Sequence, residues 1–108
     1  MEENQLVVFC TCPDRESGER LGGALVQERL AACVNVVPGL TSIYRWEGAL
    51  KMEPECLLII KAMASRFADL RQRLRELHPY ELPEIIALPI CDGDPEYLKW
   101  LTANARPA

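Results

Sequence analysis

The stretch LHPYELPEIIALPI, residues 77–90, holds the only histidine of the chain, His78. Pro79 disfavours helical geometry at the residue before it, so His78 is expected at the junction between a helix and a strand. An imidazole held at such a junction can serve as a metal ligand or carry a proton. Glu81 or Glu84, a few residues further on, could orient the ring or complete a ligand shell, as carboxylates near ligating histidines commonly do.

Five cysteines supply the soft donor atoms: Cys10, Cys12, Cys33, Cys56 and Cys91. No CxxC pair occurs among them, so zinc-finger and thioredoxin-like chemistry have no support. An odd number of cysteines, behind the acidic start MEENQ with no signal-peptide pattern, favours free thiols in a reducing cytoplasm. We interpret Cys33, Cys56 and Cys91 as packing residues of apolar strands.

The elements that position these groups follow from hydrophobic patterning and from turn and cap residues. The predicted order begins with a strand over 5–12, a helix over 13–30 capped by Asp14, and strand pieces at 32–37 and 41–46. Turn residues at 47–54 and a strand over 55–63 follow. The chain then continues with a helix from Ser65 to residue 77, a strand over 83–90 and a short helix capped by Asp94. Pro38 and Gly39 separate the two strand pieces, which predicts one long strand with a kink or bulge.

This order is β-α-β-β-α-β plus a terminal helix. It predicts an α+β fold of the ferredoxin-like, or split βαβ, plan, as one domain over 1–108 with a long β-hairpin. The alternative is another α+β arrangement with a long hairpin. In the ferredoxin-like plan the first and last strands are antiparallel neighbours, so His78 is expected near Cys10 and Cys12. Residues two apart share a strand face, so both thiols point the same way.

The predicted strands are apolar on both faces. Leu6 and Val8 alternate with Val7 and Phe9, whereas an antiparallel sheet covered on one side normally alternates apolar and polar residues. Only a short terminal helix remains to cover the second face. We therefore expect another subunit to cover it.

Composition restricts the partners. Sixteen acidic residues against twelve basic ones give a net charge of -4, which argues against nucleic acid as a partner. No apolar stretch approaches the roughly 18 residues that a membrane span needs.

A second group of residues combines aromatic and charged side chains near strand ends: Tyr44, Trp46, Glu47, Lys61, Tyr80 and Glu84. Such residues could line a ligand cleft between subunits, or pack in an interface with their polar tips satisfied. An enzyme would need a nucleophile and a base, and Cys10 with His78 could in principle serve. No third group orients that pair in a recognisable motif, so we expect no enzyme.

With these elements placed, the sequence resembles the CutA family of divalent-cation-tolerance proteins over about residues 6–101. The resemblance rests on CTCPD after the first strand, ERLAACVNVVPGLTSIYRWEG in the hairpin, LHPYELPEIIALPI, and YLKWL near the end. It implies a ferredoxin-like fold and a tight homotrimer similar to the PII signalling proteins. Ferredoxin-like copper chaperones are the competing family, but their CxxC spacing is absent.

The resemblance also implies a function, which is copper binding and tolerance of divalent metals without an established enzymatic activity. Its matching positions for the metal are Cys10 and His78, and a thiol with an imidazole suits copper or zinc better than magnesium or calcium. Cys12 is not a fixed feature of the family pattern, so its role stays open, and Cys10 could instead be a small core residue. The alternatives are a PII-like sensor that binds a small ligand in the intersubunit clefts, or a structural, anchoring trimer.

Overall fold

Four strands and three helices form the computed structural model, which describes residues 4–108. The strands are β1 (Gln5–Cys12), β2 (Cys33–Trp46), β3 (Ala49–Met63) and β4 (Ile85–Pro89). The helices are α1 (Arg15–Gln27), α2 (Phe67–Leu77) and α3 (Pro95–Asn104), and a 3-10 turn, Ala64–Arg66, precedes α2. Residues 1–3 lie outside the described part, so the interpretation drawn from the acidic start MEENQ stays a prediction.

The sheet has the strand order β2-β3-β1-β4, and every neighbouring pair is antiparallel. The ferredoxin-like prediction is therefore confirmed, including the pairing of the first strand with the last. Cys10 pairs with Ile85, so the start of β4 lies beside the end of β1. This register brings the connection that carries His78 to the end of β1.

One face of the sheet and helices α1 and α2 enclose the main core. Fully buried side chains from both layers form it: Val8, Cys10, Cys12, Leu58, Ile60, Leu21, Leu25, Leu70 and Leu74. Because strand side chains alternate, the buried residues of β1 are every second one. Their removal from water, at roughly 25 cal/mol for each Å² of apolar surface, is the main term that holds the helices on the sheet.

Helix α1 begins at its predicted cap but ends at Gln27, three residues before the predicted end. The Asp14 carboxylate accepts a hydrogen bond from the backbone N–H of Ser17 at 2.8 Å, which caps the helix. Gly22 lies against the sheet, and a Cβ there would stand 3.0 Å from Cγ1 of Val34. The glycine therefore permits an approach that a larger residue would block, and this offsets its low helix propensity.

The hairpin turn is much shorter than the sequence indicated. Residues 47–54 were expected to supply turn chemistry, but only Glu47 and Gly48 make the turn, with φ of 50° and 79°. Two consecutive residues with positive φ reverse the chain in two positions, as in type I′ hairpins. Strand β3 therefore starts at Ala49 and pairs with β2 from Trp46 inwards. The predicted irregularity in β2 is confirmed, between Val37 and Leu40.

Two other predicted boundaries move. Ser65 lies inside the 3-10 turn, and α2 begins at Phe67, because the chain first makes a tight turn off the end of β3. Strand β4 covers only Ile85–Pro89 rather than 83–90, because its ladder with β1 runs only from Ile85 to Pro89. Helix α3 starts as predicted, with the Asp94 carboxylate accepting from the Tyr97 N–H at 3.0 Å.

The second face of the sheet is only partly covered. Helix α3 packs near the end of β3, where Met63, Leu101, Ala32 and Ala105 form a small buried cluster. Elsewhere the apolar side chains of this face stay open, with Ile86 and Leu88 about half exposed, at 50% and 48%. Coverage of this face by another subunit remains a prediction. Within residues 4–108, no helix combines the length and apolar character needed to cross a membrane.

Candidate functional site

An open cleft of about 820 Å³ lies where the hairpin, the end of β1 and the connection from α2 to β4 meet. Its lining combines carboxylates, aromatic rings and a few apolar side chains: Thr11, Ser42, Ile43, Tyr44, Trp46, Lys51, Glu53, Glu55, Pro79, Tyr80, Glu81, Leu82 and Glu84. We call this space the acidic cleft.

Strand periodicity places the hairpin residues on the cleft side. Ser42, Tyr44 and Trp46 are every second residue of β2, and so share one face. Ser42 pairs with Glu53 and Tyr44 with Lys51, so the alternate residues of β3 join the same face. The second wall of the cleft is the connection after α2. The chain leaves helical geometry at His78, because the residue before a proline disfavours that geometry.

The charge in the cleft is unbalanced. Four of the lining side chains are carboxylates, Glu53, Glu55, Glu81 and Glu84, whereas Lys51 is the one cation among the lining residues. A concave surface lined by charges of one sign raises the local concentration of counter-ions. The cleft is therefore suited to a cation.

Two tyrosines are tied to two of these carboxylates. The Tyr80 hydroxyl donates to Oε2 of Glu55 at 2.7 Å, and the Tyr44 hydroxyl donates to Oε1 of Glu53 at 3.0 Å. Burial, with the bond to Glu55, raises the pKa of Tyr80, and the bond to Glu53 raises the pKa of Tyr44. Both phenols therefore stay protonated at neutral pH and hold the carboxylates in place.

His78 joins the connection to β1. Its Nε2 lies 2.7 Å from the carbonyl oxygen of Thr11, and its Nδ1 accepts the backbone N–H of Tyr80 at 3.0 Å. This pattern assigns the proton to Nε2. The ring is only 7% exposed, and burial lowers its pKa, so it is neutral at pH 7. Both ring nitrogens are therefore engaged, and their partners are backbone groups rather than Glu81 or Glu84.

The side chains of Cys10 and Cys12 point from β1 into the dry core, on the face of the sheet opposite the acidic cleft. Both are fully buried, and burial is the main reason that each thiol has a pKa of about 12. The Cys12 thiol donates to the carbonyl oxygen of Asp14 at 3.5 Å. The thiols are thus protonated, whereas a metal is bound by thiolate.

The structure places the His78 ring against the carbonyl oxygen of Thr11, which is the residue between the two thiols in the chain. It does not form a metal centre there. Across residues 4–108, no three side chains of histidine, cysteine, aspartate or glutamate group closely enough to hold a metal ion. The assignment of Cys10 and His78 as copper ligands therefore stays a prediction, and it requires the hydrogen bonds of the ring to break.

Most of the second predicted group does meet in the acidic cleft. Tyr44, Trp46, Tyr80 and Glu84 line it, and so does Glu81, which was predicted to lie near His78. Lys61 and Glu47 are not among the lining residues. Lys61 donates to the side-chain oxygen of Asn35 on β2, and Glu47 is in the hairpin turn.

Sequence reasoning missed several lining residues, among them Thr11, Lys51, Glu53 and Glu55. Lys51 and Glu53 are alternate positions of the segment 47–54, which was interpreted as a turn, and Glu55 is the first residue of the predicted strand. The alternation of K-M-E-P-E, had it been interpreted as a strand, would have placed them on one face.

Comparison with known proteins places the chain in a family. A family model described as CutA1 divalent ion tolerance protein matches residues 6–104. The "Divalent-cation tolerance protein CutA" of Thermus thermophilus is 53% identical over 104 residues, which are 96% of this chain and 98% of that protein. The "Protein CutA, chloroplastic" of Arabidopsis thaliana is 48% identical over 94% of this chain but only 56% of its own length.

The fold agrees with these relatives. The solved structure of the divalent cation tolerance protein (Cut A1) from Thermus thermophilus superimposes with a TM-score of 0.92 at 51% identity. The match covers 94% of this chain and 99% of the other. The chain therefore belongs to the CutA1 family of divalent ion tolerance proteins.

Proposed function

We propose that the chain contributes to tolerance of divalent metal ions by binding a divalent cation, copper foremost, in the acidic cleft of a homotrimer. The observation that carries this proposal is the excess of carboxylates in an open cleft, four against one ammonium. Carboxylate and phenol oxygens bind many divalent ions, and among first-row metals copper(II) binds a given site most tightly.

The trimer belongs to the proposal for two reasons. Ile86 and Leu88 are about half exposed on the open sheet face, where a second subunit would remove them from water. A single subunit also lacks a convergent set of three donor side chains within residues 4–108. We propose that a neighbouring subunit supplies the missing ligand. The free thiols, with Cys91 exposed, fit the reducing cytoplasm that we propose as its compartment.

The Cys10–His78 pair is the competing copper site. Metal binding there must deprotonate a thiol with a pKa of about 12 and release the imidazole from Thr11 or Tyr80. The acidic cleft needs neither change, since its carboxylate oxygens already line an open space. The proposal includes no catalytic step, either at the Cys10–His78 pair or in the acidic cleft.

The test is copper(II) titration of the purified protein by calorimetry, with native mass spectrometry to verify the trimer. Glu53→Gln/Glu84→Gln removes two cleft charges and should weaken binding about tenfold or more. Glu16→Gln/Glu96→Gln removes two exposed charges outside the cleft and should change the affinity less than about twofold. Unchanged binding by the cleft variant, with loss in Cys10→Ala, would instead favour the thiol-imidazole site.

A second candidate is a sensor that binds a small organic cation in the same cleft. The volume of about 820 Å³ and three aromatic side chains exceed what one metal ion needs, and fall in the range of small-molecule sites, roughly 300–1,000 Å³. Aromatic faces with carboxylates also suit organic cations. Thermal-shift screening with metal ions and cellular amines separates the two, since a bound ligand stabilises the folded protein. A trimer that responds to neither would favour an anchoring role.

A further inference from the structure

Two cysteines that the sequence presented as unrelated face each other across the sheet. Cys12 on β1 and Cys56 on β3 are directly paired in the antiparallel ladder. Both are buried, at 0% and 1% exposure, so both side chains point into the core layer beneath the helices. Besides its own burial, the neighbouring Cys56 thiol raises the pKa of Cys12.

This placement matches the geometry of a disulfide. Directly paired residues of antiparallel strands have Cα atoms about 4.5–5.5 Å apart, and disulfides span about 4.4–6.8 Å between Cα atoms. No other cysteine is so placed in residues 4–108. Cys10 pairs with Leu58 and Ile85, Cys33 pairs with Lys61, and Cys91 lies outside the sheet.

We propose that Cys12 and Cys56 are a redox pair that hydrogen peroxide converts to a disulfide linking β1 to β3. When the structure above the pair opens locally, one thiol loses its proton to water, and the thiolate attacks the peroxide, which forms a sulfenic acid and releases one water once the leaving hydroxide is protonated. The second sulfur displaces the sulfenic oxygen as a second water. Two thiols and one peroxide thus give one disulfide and two waters, and two electrons pass from sulfur to oxygen.

The pair is fully buried, and the first turn of α1 lies over it. The Cys12 sulfur lies under the first turn of α1, 3.5 Å from the carbonyl oxygen of Asp14. Gly18 covers it from the same turn, and a Cβ there would stand 3.4 Å from that sulfur. Helix ends open locally at far lower cost than the whole fold. A local opening of this turn therefore exposes the thiols to an oxidant as small as peroxide.

The pair also lies directly behind the acidic cleft. Thr11 and Glu55 precede Cys12 and Cys56 in the chain, and both line the cleft on the opposite face of the sheet. Oxidation therefore ties together the two strands that carry these lining residues. The proposal rests on the strand register and on the burial of both thiols in the same layer, and it stands whether or not the cleft binds a cation.

The experiment treats the folded wild-type protein with hydrogen peroxide, blocks remaining thiols with an alkylating agent in denaturant, and maps the peptides by mass spectrometry. A linked peptide that joins Cys12 to Cys56, 2 Da lighter than the dithiol form, is the expected result. Dithiothreitol should reverse it. The oxidised protein should melt several degrees higher than the reduced protein, since a cross-link over a long loop constrains the unfolded chain.

Matched variants identify the sulfur atoms. Cys10→Ala removes the neighbouring buried thiol and should leave the cross-link intact, whereas Cys56→Ala should abolish it and the melting shift. Exposed Cys91 reports that the oxidant has reacted. Recovery of Cys12 and Cys56 as free thiols after complete oxidation of Cys91 would overturn the proposal, as would a bond between Cys10 and Cys12. The peptide map of the wild type decides this even where a variant fails to fold.

Discussion

The end of strand β1 leads alternate side chains into two contrasting environments. Cys10 and Cys12 enter a dry layer in which each is fully buried and their thiols are protonated. Thr11, between them, faces the open acidic cleft on the other side of the sheet. One backbone segment thus borders both candidate sites, a few ångströms apart across the thickness of the sheet.

The difference between these environments lies in how completely their polar groups are satisfied. On the buried side, His78 uses both ring nitrogens for backbone partners, which is the usual state of a buried polar side chain. In the cleft, Glu81 and Glu84 are exposed and the carboxylates outnumber the single ammonium. A ligand needs unsatisfied groups, so the cleft is the better candidate site, and the imidazole has a structural role in this subunit.

The largest expected effect is on thiol reactivity. In the folded protein, Cys91 should react with iodoacetamide about 1,000-fold or more faster than Cys10, because a core thiol reacts only when the structure opens. Mass spectrometry of a labelling time course measures both rates, and equal labelling in denaturant is the control. Rates within tenfold of each other in the folded state would show that Cys10 is accessible enough to serve as a metal ligand.

Removal of the imidazole tests its structural role. His78→Ala loses both ring hydrogen bonds, leaves the Thr11 carbonyl oxygen without its partner and opens a cavity, so the free energy of unfolding should fall by about 2–4 kcal/mol. Urea denaturation of the variant and wild type measures this. His78→Asn, which can keep a side-chain acceptor for the Tyr80 N–H, should lose less. A variant as stable as wild type would show that the ring holds nothing in place.

The same residue predicts a pH dependence. The pKa of His78 is lowered in the fold, so the unfolded chain takes up a proton first as the pH falls below about 6.5. Its contribution to stability is full above that pH and decreases as the pH falls towards the folded pKa, by at most about 1.4 kcal/mol per pH unit. Denaturation of wild type and His78→Asn between pH 7.5 and 5.5 isolates this contribution. Parallel curves would contradict it.

The smallest effects concern the two phenols that hold carboxylates in the cleft. Tyr80→Phe removes a bond to Glu55 from a partly buried ring and should lower the free energy of unfolding by about 1 kcal/mol. Tyr44→Phe removes a comparable bond from an exposed ring and should have a smaller effect. Chemical denaturation of both variants checks the order, and a larger loss in Tyr44→Phe would mean that a neighbouring subunit covers that ring.

Some predicted features depend only on neighbouring residues, whereas others depend on pairing with distant segments. The caps Asp14 and Asp94 and the helix end at His78 depend on nearby residues, and the structure confirms them. The extent of the hairpin was wrong because Gly48 and Pro54 are typical of turns and outweighed the apolar-polar alternation of residues 50–55. They become a strand through pairing with β2, which a local pattern does not contain.

The sequence by itself determined the order of elements, the ferredoxin-like plan and most of the aromatic and acidic residues of the cleft, because hydrophobic period, caps and prolines act over a few residues. Only the tertiary structure decided which groups are free to act. It buried Cys10, tied both nitrogens of His78 to the backbone, added Glu53 and Glu55 to the cleft and set Cys12 opposite Cys56. Burial and strand register are long-range properties, since they depend on segments that are distant in the chain. Cys12 and Cys56, for example, lie 44 residues apart.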